Sequence, residues 1–381
     1  MGSSLVGSPS QLTDATSDVT LFVEMPTDVR SRLEKYHPID ADDDTVEVLR
    51  QTFKHLPPDG RANLAEDIAN CQSDSGVYQL GQHLITGLLT PLQVAGGKIP
   101  SITPSPRIGV EDSIENLAST IDESMKRKQE ELRKQCRRRD GEMCVISGFY
   151  NAESLETVPP GKTTARLEAA HIVPFAIASF KDEPERQYIT SVWNTLYRYF
   201  PSVRSRINFQ YTNINSLANA MMLERGVHTE FGKFNLALEP TAVPNQYEIL
   251  TFPLLPGFTR MALPTSSKVT LVAHDGRDEL PSPILLQLHA AIAKILHATG
   301  RADATEKVLR DYDAIEVIAR DGSTNLAALL SVSRLPSLEQ RHPNVRRPNV
   351  MPNTAEEQKP AAQSSARASW PYQSRTVGKE N

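Results

Sequence analysis

Cysteine is scarce in this chain: Cys71, Cys136 and Cys144 are its three, too few and too scattered for a disulfide framework or a four-thiolate zinc site. That usage implies a reducing compartment, cytoplasm or nucleus, and an intracellular rather than secreted protein. Long apolar runs are missing as well, so no membrane partner is expected. The stretch Met1 to Ser8 lacks the basic region and apolar core of a secretory signal, and Val6 stands where a myristoylation motif needs Ser or Thr. Positive charge is lacking overall. A formal net charge of −5 excludes attraction of nucleic acid by the molecule as a whole, so any such contact has to be local.

What is present suffices for a core. Of 381 residues, 39% are hydrophobic, enough for several domains or for one core with fused flanks. Residues 1–25 are rich in Ser and Thr without helical period and read as disordered. Residues 26–92 read as a helical region: Val46, Leu49, Phe53 and Leu56 share one helical face, Leu64, Ile68 and Cys71 a second, Val77, Leu80, Leu84 and Leu88 a third. Cys71 on such a stripe is expected to be a buried structural thiol. Residues 93–108, broken by Gly96, Gly97 and prolines, form a linker.

From 109 to 135 the spacing of Ile114, Leu117, Ile121, Met125 and Leu132 predicts a long helix. A cationic run begins in its second half: Lys126, Arg127, Lys128, Arg133, Lys134, Arg137, Arg138 and Arg139 against Glu130 and Glu131. Such a run is either a solvated helix face or a set of phosphate contacts, and its position directly before the next segment keeps the second reading open.

That next segment, 136–240, carries the chemistry. Met143 to Ile146 is expected to be a strand. Leu167 to Val173 is an apolar run stopped by Pro174, a second strand that presents His171 near its end. Asn219 and His228 follow with eight residues between them, reached through the asparagine-rich turn Asn208 to Asn215. Gln187 to Phe200 is an amphipathic helix. In 241–325, Tyr247 to Phe252 and Lys268 to Val272 read as strands, after a first one at Phe234 to Leu238; Ser282 to Thr299 is a helix capped by Ser282 and stopped by Gly300, and Ala304 to Ala319 is another. His289 and His297 are expected to sit on this scaffold rather than in a site, and His274, in Ala273-His274-Asp275-Gly276, is expected to be a turn residue. Residues 326–381, prolines among polar residues, read as a disordered tail.

The residues of the middle segment occur in the order Cys144-Val145-Ile146-Ser147-Gly148, Ala170-His171-Ile172, Asn219 to His228, then Phe231-Gly232. This resembles the His-Asn-His (HNH) endonuclease family, in its fungal-type form, whose pattern runs Cys-x-x-[Ser/Thr]-Gly, Ala-His-Ile, Asn-x8-His and Phe-Asp. The resemblance implies an α+β protein with a ββα-metal HNH nuclease core, between an N-terminal helical flank and a C-terminal strand-helix flank. It also implies hydrolysis of nucleic-acid phosphodiester bonds, DNA in the first place, with His171 as general base, Asn219 orienting the loop and His171 itself, and His228 as ligand of a divalent metal, Mg²⁺ or Mn²⁺ ahead of Zn²⁺. The chain departs from the pattern where Gly232 replaces Asp, and Ala170 stands where many members carry a further ligand. Glu168 is the nearest carboxylate that could complete the shell. Ser147 replaces the second thiol of a Cys-x-x-Cys half-knuckle, which argues against structural zinc. The alternative to an active enzyme is a catalytically degenerate module of the same fold that binds nucleic acid or protein.

Overall fold

In a computed structural model of the chain, residues 25–93, 129–154, 158–178, 180 and 182–304 are described below. The expected N-terminal disorder, the 93–108 linker, most of the 109–135 helix with Lys126, Arg127 and Lys128, the helix from Ala304 and the tail fall almost wholly outside them.

The N-terminal region is a layer of helices: α1 (Thr27–Glu34), α2 (Thr45–His55), α3 (Pro58–Asn70) and α4 (Asp74–Leu84), the last running on through a π-helical stretch Ile85–Leu89. Their apolar stripes supply Leu49, Phe53, Leu64, Ile68, Val77, Leu80 and Leu88, all buried in the common core, and Cys71 is buried beside them. Pro58 starts α3 where its missing N–H costs nothing, and Ser73 caps α4 by accepting from the Gly76 amide.

Helix α5 (Gln129–Arg139) leads into the middle segment. A short parallel pair, β1 (Tyr150–Asn151) and β2 (Thr164–Ala165), is followed by β3 (Leu167–His171) and then α6 (Glu183–Tyr199). Next come β4 (Ala220–Glu224) and α7 (Arg225–Gly232). Strands β3 and β4 pair antiparallel, His171 opposite Ala220 and Glu168 opposite Leu223. Both α5 and α7 pack against this pair. The last part is a three-stranded antiparallel sheet of β5 (Leu236–Pro240), β6 (Gln246–Thr251) and β7 (Lys268–Thr270), with α8 (Pro283–Ala298) packed on β5 and reaching α2.

Several expected elements are corrected. Met143 to Ile146 is not a strand: Gly148, at φ +70°, donates to the Cys144 carbonyl and Cys144 donates to that of Phe149, closing a tight turn in which Cys144 and Ile146 are buried. The apolar residues there plug a turn rather than line a sheet. Ser282 holds the N-cap position of α8 ahead of Pro283, as expected, but its side chain accepts no capping hydrogen bond. Helix α6 starts earlier than Gln187 because Asp182 caps it by accepting from the Glu185 amide. None of the described helices is long and apolar enough to cross a membrane.

The helical flank is fastened to α6 by a polar cluster: Arg198 pairs with Asp67 at 2.7 Å and Glu66 at 2.6 Å, and the Tyr199 hydroxyl donates to Asp67 at 2.9 Å. Farther along, one terminal guanidinium nitrogen of Arg301 donates to both carboxylate oxygens of Asp44, at 2.7 and 2.8 Å.

Candidate metal-dependent nuclease site

His171 is the last residue of β3, where the strand gives way to Ile172-Val173-Pro174. Its Nε2 lies 2.9 Å from the Asn215 side-chain oxygen, which can only accept, so Nε2 carries the proton and Nδ1 keeps the lone pair. Burial is the main influence holding its pKa below the ordinary histidine value; the Asn215 bond opposes that, and the charge of His228 pushes the same way as burial. A histidine so placed is neutral at physiological pH and has a nitrogen able to take a proton.

Asn219 is fully buried and has three bonds: it accepts from the Val173 amide at 2.8 Å and donates to the carbonyls of Val173 at 3.0 Å and Ile214 at 2.9 Å. The Ile172 amide donates to its carbonyl at 2.8 Å. It therefore staples the segment after His171 to the start of β4. The expectation that it orients His171 itself is corrected: the direct partner is Asn215, and Asn219 acts on the histidine only through the backbone. Asn215 was legible in the sequence only as one of several turn asparagines.

His228 lies on α7, whose N-terminus is capped by Glu224 accepting from the Gly226 and Val227 amides at 2.8 and 2.7 Å. Its Nδ1 is 2.7 Å from a carboxylate oxygen of Glu168 on β3. An ionised carboxylate only accepts, so Nδ1 must be the donor, and in the neutral ring the Nε2 lone pair is left for a cation. His228 and Glu168 are both partly solvent-exposed, with side-chain exposures of 35% and 45%, so an ion could reach them from water. Glu168 and His171, three residues apart on one strand, have Cα atoms separated by about 10 Å.

Among the described residues no three His, Cys, Asp or Glu side chains are grouped as a metal cage. Glu168 accepts from Nδ1, on the side of the ring away from Nε2, so it orients the imidazole and leaves Nε2 as the one donor, which does not suit a closed four-ligand zinc site. It fits a hard ion such as Mg²⁺ or Mn²⁺, which takes most of its shell from water and substrate phosphate.

The described part of the basic run, Arg133 to Arg139, is occupied with other partners. Arg133 pairs with Glu153 at 3.0 Å, Lys134 with Glu130 at 3.6 Å, Arg137 with Glu142 at 2.9 Å, and Arg138 with Asp275 and Asp278 at 3.2 and 2.6 Å. Arg139 as a phosphate contact is corrected: it is fully buried, held by both oxygens of Asp140 and donating to the carbonyls of Leu217, Glu279 and Ala220. A group with every donor satisfied inside the protein cannot reach a phosphate.

A strand pair and a helix thus present a neutral histidine at a strand end and a histidine-carboxylate pair. Residues 144–239 match the family described as HNH endonuclease, a span that covers the site from the Cys144 turn to β5 and supports an HNH domain here. At the level of the family the match suggests nucleic-acid endonuclease activity. No curated protein and no solved structure matches the chain.

Proposed function

We propose that the chain is a metal-dependent endonuclease that hydrolyses phosphodiester bonds of nucleic acid, DNA in the first place, on a ββα-metal core made by β3, β4 and α7. The observation that carries this is the Glu168–His228 bond of 2.7 Å, which leaves one imidazole nitrogen available to a cation on the helix beside a strand ending in a neutral histidine. His171 takes a proton from water at Nδ1, while Asn215 on Nε2 fixes the ring and steadies the imidazolium that results. Asn219 keeps the backbone after His171 in place. His228 would hold Mg²⁺ or Mn²⁺ through Nε2, with Glu168 fixing its ring from Nδ1, and the ion would supply neutralisation of the charge on the phosphate and the leaving oxygen. The second reading, a degenerate module that binds without cutting, draws on the same ligand set, since a single imidazole nitrogen is left to face an ion.

Plasmid nicking by purified wild-type protein, beside His171→Ala and Gly232→Asp, separates the two. The nuclease reading expects nicking that needs roughly millimolar metal, Mn²⁺ ahead of Mg²⁺, because few protein ligands hold the ion. His171→Ala should lower the rate by roughly 10²-fold or more. Gly232 has no positive φ and a Cβ added there meets open space, so Asp is accommodated. It lies one helical turn beyond His228, and the added carboxylate should lower the metal concentration needed. A folded wild type that stays inert in Mn²⁺, together with a Gly232→Asp protein that gains nothing, would establish the binding module instead.

A further inference from the structure

Each cation of the described part of the basic run has an acidic partner, and other cations lie beside the site. The backbone amide of Arg225 donates to the Arg166 carbonyl at 3.2 Å, which brings the two arginines together where β3 begins and α7 starts. Both residues are exposed. Arg166 precedes Glu168 by two residues, and Arg225 precedes His228 by three, so that it shares a face of α7 with the histidine. The Glu168–His228 bond joins the same two elements one step further in.

The two arginines differ from most others in the fold in having no carboxylate. Arg133, Arg137, Arg138, Arg139, Arg186, Arg198 and Arg301 each have an ion pair. Among the described residues no ion pair or hydrogen bond engages the guanidinium group of Arg166 or Arg225, and Glu224, next to Arg225 in the chain, is engaged by the amides of α7. The backbone bond holds the two residues side by side, within reach of one another for side chains of this length, so an anion that bridges their guanidinium groups gains from both. The anion has to be one that also presents a phosphate to His228.

We infer that Arg166 and Arg225 form a clamp for the phosphodiester backbone of nucleic acid next to the bond addressed by His171, resting on the nuclease reading of that site. Their planar, multi-donor heads suit non-bridging phosphate oxygens, and contact with backbone alone makes the clamp indifferent to base sequence. Lys126 to Arg139 was the natural place to look for such contacts because its charge is contiguous in sequence. Arg166 and Arg225 are far apart in the chain and meet only through the strand-to-helix junction.

The test measures binding rather than cutting. Full-length protein carrying His171→Ala, which leaves substrate intact, is titrated by fluorescence anisotropy with short mixed-sequence duplex DNA and with duplex RNA of the same sequence, across a range of salt. In this background Arg166→Ala/Arg225→Ala should weaken binding at low salt by on the order of tenfold or more and flatten the log–log salt dependence by about two, one for each phosphate contact. Arg166→Lys/Arg225→Lys should keep the slope and lose part of the affinity. The two duplexes show which sugar backbone the clamp accepts. A double alanine variant with unchanged circular dichroism that keeps both affinity and slope overturns the inference, and so does a parent protein that binds neither duplex. A protein that binds through the two arginines, yet does not cut in Mn²⁺ when His171 is present, loses the nuclease reading and keeps the clamp.

Discussion

At the scale of single residues, the two histidines of the site are distinguished by what each ring nitrogen touches. Asn215 takes the Nε2–H of His171 and Glu168 takes the Nδ1–H of His228, so opposite nitrogens remain free on the two rings. A base must be unprotonated to work, and burial lowers the pKa of His171. The acid limb of kcat/KM should therefore fall below the ordinary histidine value of about 6.5. Asn215→Ala removes the contact that opposes the shift and stabilises the imidazolium, so it should move that limb to still lower pH and reduce the rate. A pH–rate profile of both proteins decides this: a limb above about pH 7 would assign the base to another group.

At the scale of elements, the strand pair that carries His171 is held from behind by α5. The buried Arg139–Asp140 pair reaches β4 twice, through Arg139 to the Ala220 carbonyl at 2.8 Å and through Asp140 from the Met222 amide at 2.8 Å. Arg139→Met would leave Asp140 as an uncompensated buried charge. Such a loss costs about 3–5 kcal/mol, whereas Arg137→Met, at a partly exposed pair with Glu142, should cost at most about 1 kcal/mol. Urea denaturation of the two variants measures the contrast, and equal midpoints would show that the Arg139 pair is not the element's anchor. Helix α8 supports α7 in a related way. His289 donates to the Phe231 carbonyl at 3.1 Å and stacks on the rings of Phe231 and Phe234, with centroids 3.8 and 4.3 Å away, while His297 stacks on Phe252 at 4.2 Å.

At the scale of the whole molecule, these scaffold histidines make stability depend on pH. Desolvation pushes the pKa of His289 down to about 3 and that of His55 down to about 4, both far below the value of about 6.5 in an unfolded chain. Above that value both states are neutral and the histidines contribute no pH dependence. As pH falls below it, the unfolded chain takes up protons that the native state refuses, so stability drops, and the drop continues until the native groups protonate near 4 and 3. Stability by urea denaturation should therefore decline steadily from about pH 6.5 to about pH 4. His289→Leu should be less stable at neutral pH, having lost its bond to Phe231, yet show a shallower decline. An equally steep decline in that variant would place the sensitivity elsewhere.

The sequence by itself determined the local elements and the cast of residues. Apolar period placed the N-terminal helices and an apolar run before Pro174 placed the strand that carries His171, since each of these signals lies within a few neighbouring positions, and the order Cys144, His171, Asn219, His228 pointed to the chemistry. The tertiary structure decided how those residues are used. That Asn215 rather than Asn219 touches His171, that Glu168 orients His228, that Arg139 is buried against Asp140, and that Arg166 meets Arg225 all depend on contacts between segments distant in the chain. A charge looks the same in a sequence whether solvent or a carboxylate surrounds it. Only packing removes water from one arginine and leaves it on another.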